Sequence, residues 1–112
     1  MQDFKEMEKF IGEEFQEIAQ GTDNLKDFHA LLTDIERDGA LPKKTKILIA
    51  ISLAVKSQCT YCLASHIRAA INAGATDEEI MESAWVAVLM GGGPSLMYVL
   101  EVKKALKEMR GG

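Results

Sequence analysis

Apolar residues recur at helical spacing through almost the whole chain. Phe4, Met7, Phe10, Ile11, Phe15 and Ile18 form one stripe, which predicts a first helix over roughly the first twenty residues. Asp3 and Glu6 are placed as N-cap and N3 of a capping-box-like start. Gly21-Thr22-Asp23 interrupts the pattern, and Leu25, Phe28, Leu31, Leu32 and Ile35 renew it in a second helix, for which Gly39 is the expected C-terminal cap. Pro42 suits the first turn of a third helix. Its run from Ile47 to Val55, with Ser52 inside it, reads as buried on most sides, and the helix is expected to end near Lys56-Ser57-Gln58.

A fourth helix runs to Ala73, with Gly74 ending it, and Thr76 to Glu79 form a capping box for the fifth. The fifth shows a wide apolar face of Ile80, Met81, Ala84, Trp85, Val88 and Leu89 before Gly91-Gly92-Gly93-Pro94 forces a break. Pro94 can open a last helix whose expected buried side is Leu96, Val99, Leu100, Leu106 and Met109, with Lys103, Lys104, Lys107 and Arg110 toward the C-terminal end as the helix dipole prefers. No segment alternates as a strand, so the expected fold is all-α, about six helices in a single domain over 1–112.

Composition narrows the function classes. At 112 residues and 47% hydrophobic content the chain can bury one core, and neighbouring copies would help to cover the remainder, so a homo-oligomer is expected. With 13 basic against 17 acidic residues the net charge is -4, without a basic block, so nucleic acid is not an expected partner. The N-terminus lacks the pattern of a signal peptide, and no apolar run approaches the ~18 residues of a membrane span, so the expected location is cytoplasmic with no membrane partner. Lys43, Lys44 and Lys46 begin the third helix against its dipole; either one of them makes a tertiary or functional contact, or all are solvated surface lysines.

The chemistry concentrates in Cys59-Thr60-Tyr61-Cys62-Leu63-Ala64-Ser65-His66. Positions i, i+3 and i+7 of a helix share one face, so both thiols and the imidazole would line one edge. In a reducing compartment such a pair points to redox cycling or metal binding rather than a permanent staple. A dithiol catalyst needs one sulfur as an attacking thiolate and the other close enough to form the disulfide. Cys59 lies nearer the helix N-terminus, whose amides favour a thiolate, whereas Cys62 lies four residues from His66, which can take its proton; spacing favours Cys62.

Two plainer readings compete: small buried cysteines in a helical core, and a zinc site of Cys59, Cys62, His66 and His29. His29 by itself reads as a partly buried residue of the second helix, Tyr61 as a packing residue or phenolic donor, and Trp85 and the six methionines as core or subunit interface. The glycine-rich segment has neither a following Lys-Ser/Thr nor a preceding strand, so it reads as a tight helix-helix turn rather than a phosphate loop. No cofactor and no metal are expected.

The same segment, preceded by Leu41-Pro42-Lys43-Lys44-Thr45-Lys46-Ile47-Leu48-Ile49-Ala50 and followed by Ala70-Ile71-Asn72-Ala73-Gly74-Ala75-Thr76-Asp77-Glu78-Glu79-Ile80, resembles the carboxymuconolactone decarboxylase superfamily on its AhpD-like alkylhydroperoxidase side. The resemblance covers a motif-bearing core at 39–106, with 1–38 as a helical prelude. It implies an all-helical trimer or hexamer with an antioxidant peroxidase activity, its substrate a hydroperoxide and its reductant a dithiol partner. By motif position, Cys62 matches the peroxidatic cysteine, Cys59 the resolving one and His66 the imidazole of a proton relay. Two departures touch that relay: Ile47 stands where the AhpD pattern has a Glu, and Tyr61 where it has a second His. Glu36 and Asp38 are candidates to supply the missing carboxylate, unranked by sequence. The decarboxylase branch does not use a C-x-x-C pair in its chemistry, so the cysteines argue for redox over a lyase; a lyase and a zinc-holding or purely structural helical oligomer remain the alternatives.

Overall fold

The computed structural model describes residues 3–110. Six helices follow one another: α1 (Phe4–Gly21), α2 (Asn24–Glu36), α3 (Lys43–Lys56), α4 (Thr60–Asn72), α5 (Asp77–Val86) and α6 (Val88–Arg110). No strand occurs among the described residues. The core is built where α3, α4, α5 and α6 meet, from Ile47, Ile51 and Val55, Leu63 and Ile67, Ile80, Val99 and Val102, closed at one end by Phe4 and Met7 of α1.

The expected caps hold at three helix starts. Asp3 accepts from the Lys5 and Glu6 amides at 2.8 and 3.2 Å. Thr76 and Glu79 make the full capping box of α5. Pro42 precedes α3 with extended backbone. Gly39, however, does not cap α2: the helix stops at Glu36, and Arg37 leaves it with φ -59° and ψ 149°. The reason is a side chain. Lys46 donates to the carbonyls of both Ile35 and Arg37, at 2.9 and 2.7 Å, supplying a cation and two hydrogen bonds at the C-terminus of α2. One of the three lysines therefore does have a tertiary role. A second, Lys44, pairs with Glu79 at 3.1 Å and ties α3 to α5.

Other cross-ties hold the remaining ends. Arg68 of α4 grips Glu8 of α1 with two hydrogen bonds of 2.9 Å. Arg110 pairs with Asp77 and donates to the Ala75 carbonyl, pinning the last turn of α6 to the start of α5.

The glycine segment acts as a turn, as its composition predicts. Gly92 has φ 58° and ψ -143°, which breaks the helical path inside α6, and the helix resumes at Pro94. Gly91 is demanded by proximity: a Cβ there would stand 1.7 Å from the Ser95 hydroxyl oxygen.

Burial is narrower than the apolar stripes suggest, for one reason: only part of each stripe meets the four-helix core. In α1 the first turns are buried while Phe10, Phe15 and Ile18 are exposed, and α2 has no buried residue at all. The α3 run exposes Ile49 and Leu53. Leu100, expected on the buried side of the last helix, is 57% exposed, and Leu89, expected on the apolar face of the fifth helix but carried at the start of α6, is 83% exposed.

Candidate functional site

The connection from α3 to α4 decides where the sulfurs lie. The Gln58 amide donates to Val55 and the Cys59 amide to Ala54, both at 3.1 Å, the paired bonds of a Schellman motif. That motif needs a left-handed residue at its centre, and Gln58 adopts it with φ 55°. Cys59 follows as the N-cap of α4, with extended backbone at φ -108° and ψ 99°. It thus stands just outside the helix rather than within the helical run expected from spacing.

Its sulfur still does the work of a cap. Cys59 Sγ accepts from the Cys62 amide at 3.2 Å, and the two cysteines are joined as a disulfide with Cα atoms 5.2 Å apart. The pairing leaves neither sulfur as a thiolate, and no cluster of three or more His, Cys, Asp or Glu among the described residues is arranged to hold a metal.

His66 lies one turn beyond Cys62 on α4, and the two line the same two cavities. The larger, about 430 Å³, opens between α4 and the α1–α2 pair: Phe10, Ile11, Glu14 and Phe15 form one wall, Phe28, His29 and Leu32 the other, and Tyr61, Cys62, Ser65 and His66 the floor. The smaller, about 200 Å³, lies on the α3 side against Ala50, Leu53, Ala54 and Ser57. Cys59 lines neither.

The His66 imidazole is held below its ordinary pKa. Burial in this apolar floor disfavours the cation, while the negative charge of Glu36 pulls in the opposite direction. Glu36 thus emerges as the carboxylate whose charge reaches the histidine. Asp38 is engaged elsewhere, accepting from the Lys43 amide at 2.6 Å at the start of α3. Glu36 also shares a cleft with Ile47 and with Ala69, one turn past His66 on α4.

Sequence patterns grouped Cys59, Cys62 and His66; in the structure the disulfide joins Cys59 to Cys62, and His66 shares two cavities with Cys62. The patterns missed the aromatic walls: Phe10 stacks on Tyr61 with centroids 6.3 Å apart, and Phe15 meets the His29 ring edge-on at 5.7 Å. His29 is exposed rather than partly buried, its imidazole facing this chamber. The clue was present in Phe10, Phe15 and Phe28, bulky rings on helices too short of partners to bury them.

The sequence profile of the carboxymuconolactone decarboxylase family matches residues 22–105. The chain belongs to this family. Its match begins before α2, further toward the N-terminus than the motif-bearing core at 39–106. A crystal structure of a carboxymuconolactone decarboxylase family protein from Legionella pneumophila, in its apo form, superposes with a TM-score of 0.88 at 40% identity, covering 94% of this chain and 95% of that one. A family protein from Thermotoga maritima, "possibly involved in antioxidative response", gives a TM-score of 0.71 at 31% identity over 80% of this chain and 93% of its own. Among curated sequences, "Uncharacterized protein 4 in cox locus" of Paracoccus denitrificans is 40% identical over 84 residues, 75% of this chain and 76% of its own. No helix among the described residues is long and apolar enough to cross a membrane.

Proposed function

We propose that this family member is a thiol-dependent hydroperoxide reductase, or a disulfide oxidoreductase of that kind, with an antioxidant role. The carrying observation is the asymmetry of the dithiol: Cys62 and His66 share the floor of two cavities, and Cys59 lies behind, within bonding distance of Cys62. In the reduced protein Cys62 attacks, Cys59 resolves, and His66 takes the thiol proton and returns it to the leaving oxygen. Burial that lowers the imidazole pKa favours the neutral, proton-accepting form this first step needs. The exposed Leu89 and Met90 support a homo-oligomer, trimeric or hexameric, and an external dithiol closes the cycle.

Mixing reduced protein with a hydroperoxide and counting free thiols tests the reading. Loss of both thiols, matched by peroxide consumed, is expected. Thiols that stay free while peroxide persists would overturn it, as would activity on a lactone acid that survives alkylation of both cysteines, which would move the chain to the lyase side of its family.

A further inference from the structure

The chamber above Cys62 is built by helices that contribute little to the core. Its volume, about 430 Å³, falls in the range of small-molecule sites, whose walls are characteristically apolar with a few polar groups at the reacting end. Here the walls are Phe10, Phe15, Phe28 and Leu32, and the reacting end is Cys62 and His66. Among the described residues no lysine or arginine lines the space, and the one carboxylate on its wall is Glu14. An anionic ligand would meet a like charge and no lysine or arginine, whereas an uncharged apolar body would cover ring faces that are otherwise wet.

The walls are also ordered as a ring-binding surface. Phe10 lies over Tyr61 at an interplanar angle of 20°, and His29 is held between Phe15 and Phe28, 5.7 and 6.4 Å from their centroids. Aromatic faces set at these separations favour a further ring by stacking or edge contact. A concave space ending on a reactive sulfur suits a small molecule. A second copy of the chain is better met by the strongly exposed Leu89 and Met90 at the start of α6.

Resting on the peroxidase reading, we propose that this chamber binds the uncharged aromatic body of an organic hydroperoxide, and that Phe10 and Phe28 determine the preference for it over hydrogen peroxide. With the body between α1 and α2, the hydroperoxy group reaches the floor. The Cys62 thiolate attacks the terminal oxygen and the O–O bond breaks. The departing alkoxide takes the proton held on His66 and leaves as the alcohol, with Cys62 now a sulfenic acid. The Cys59 thiol then attacks that sulfur, the S–S bond forms and water departs. The peroxide gains the two electrons that the dithiol loses, and an external dithiol restores them.

Two measurements on the whole chain test this. The reduced protein is mixed with cumene hydroperoxide or with hydrogen peroxide, and the rate constants for thiol oxidation are compared. We expect a preference for the aryl peroxide of at least about tenfold, the scale on which apolar pockets discriminate, and a fall in that ratio of similar size in Phe28→Ala and in Phe10→Ala. Separately, the disulfide form is titrated with the product alcohol, 2-phenyl-2-propanol, while the His29 and Tyr61 ring resonances are followed; saturable shifts are expected.

Oxidation by neither peroxide would sink the peroxidase reading, and the alcohol titration would still judge the chamber. Equal rates for both peroxides, with no shift on adding alcohol, would sink the chamber and leave the peroxidase standing. Ring resonances that move with protein concentration but not with alcohol would assign the space to a second copy of the chain and overturn the proposal.

Discussion

Cys59 Sγ accepts a hydrogen bond from the Cys62 amide at 3.2 Å, so one cysteine caps the very helix on which the other is carried. Sulfur is a weak acceptor, and this contact improves as the sulfur gains negative charge. The first turn of α4 and the state of the dithiol are thereby linked.

The two cysteines should fail differently. Cys62→Ser is expected to abolish peroxide turnover, by at least about a hundredfold. Cys59→Ser should still consume one equivalent of peroxide and then stop, leaving a sulfenic acid that a dimedone probe captures. Full turnover in Cys62→Ser would reverse the roles.

Thiol reactivity should depend on the imidazole. With His66→Ala, the apparent pKa measured by the pH dependence of alkylation should rise at Cys62 more than at Cys59, because His66 shares both cavities with Cys62 alone. Equal shifts would remove His66 from the activation of Cys62.

Glu36 should be readable in the titration of His66. Its charge raises the imidazole pKa against the larger effect of burial, so Glu36→Gln should lower the value further, as followed by NMR of the ring protons. The consequence for stability has a definite sign. A folded-state pKa below the unfolded 6.5 means that the unfolded chain binds the proton first, so the stability present above pH 6.5 declines as pH falls from there through the folded value. Glu36→Gln should deepen that decline in an acid-unfolding series.

Core truncation at α4 should be costly. Leu63 is fully buried beside the dithiol, and Leu63→Ala is expected to cost about 2–5 kcal/mol by chemical denaturation, from lost apolar contact and the cavity left behind. A loss below about 1 kcal/mol would mean that the core collapses around the gap.

Periodicity made the six helices legible because 3.6-residue spacing survives whatever the tertiary partners are. Thr76 with Glu79, Gly74 and Pro42 marked boundaries by local chemistry alone. Gly39 misled because the end of α2 is satisfied by Lys46, eleven residues beyond Ile35, and no local signal encodes that reach. Cys62 and His66 were legible as a pair because helical spacing stacks them on one edge of α4, whereas Cys59 joins Cys62 from the N-cap, outside that spacing. The aromatic chamber was not, since a stripe such as Phe10 and Phe15 looks the same whether it meets a core or a cavity. Glu36 could not be ranked over Asp38 until the Lys43 amide was seen to occupy the latter.

Gln58 and Gly74 occupy equivalent places, each the left-handed centre of a Schellman motif, at φ 55° and 85°. One is a glycine and the other carries a side chain that costs about 1–2 kcal/mol in that conformation. A library sampling every residue at both positions should therefore give opposite rankings against the parent: at 74 nearly every replacement loses, whereas at 58 glycine and asparagine win on thermal survival. Position 58 abuts the first cysteine, and selection for durability alone would rewrite it.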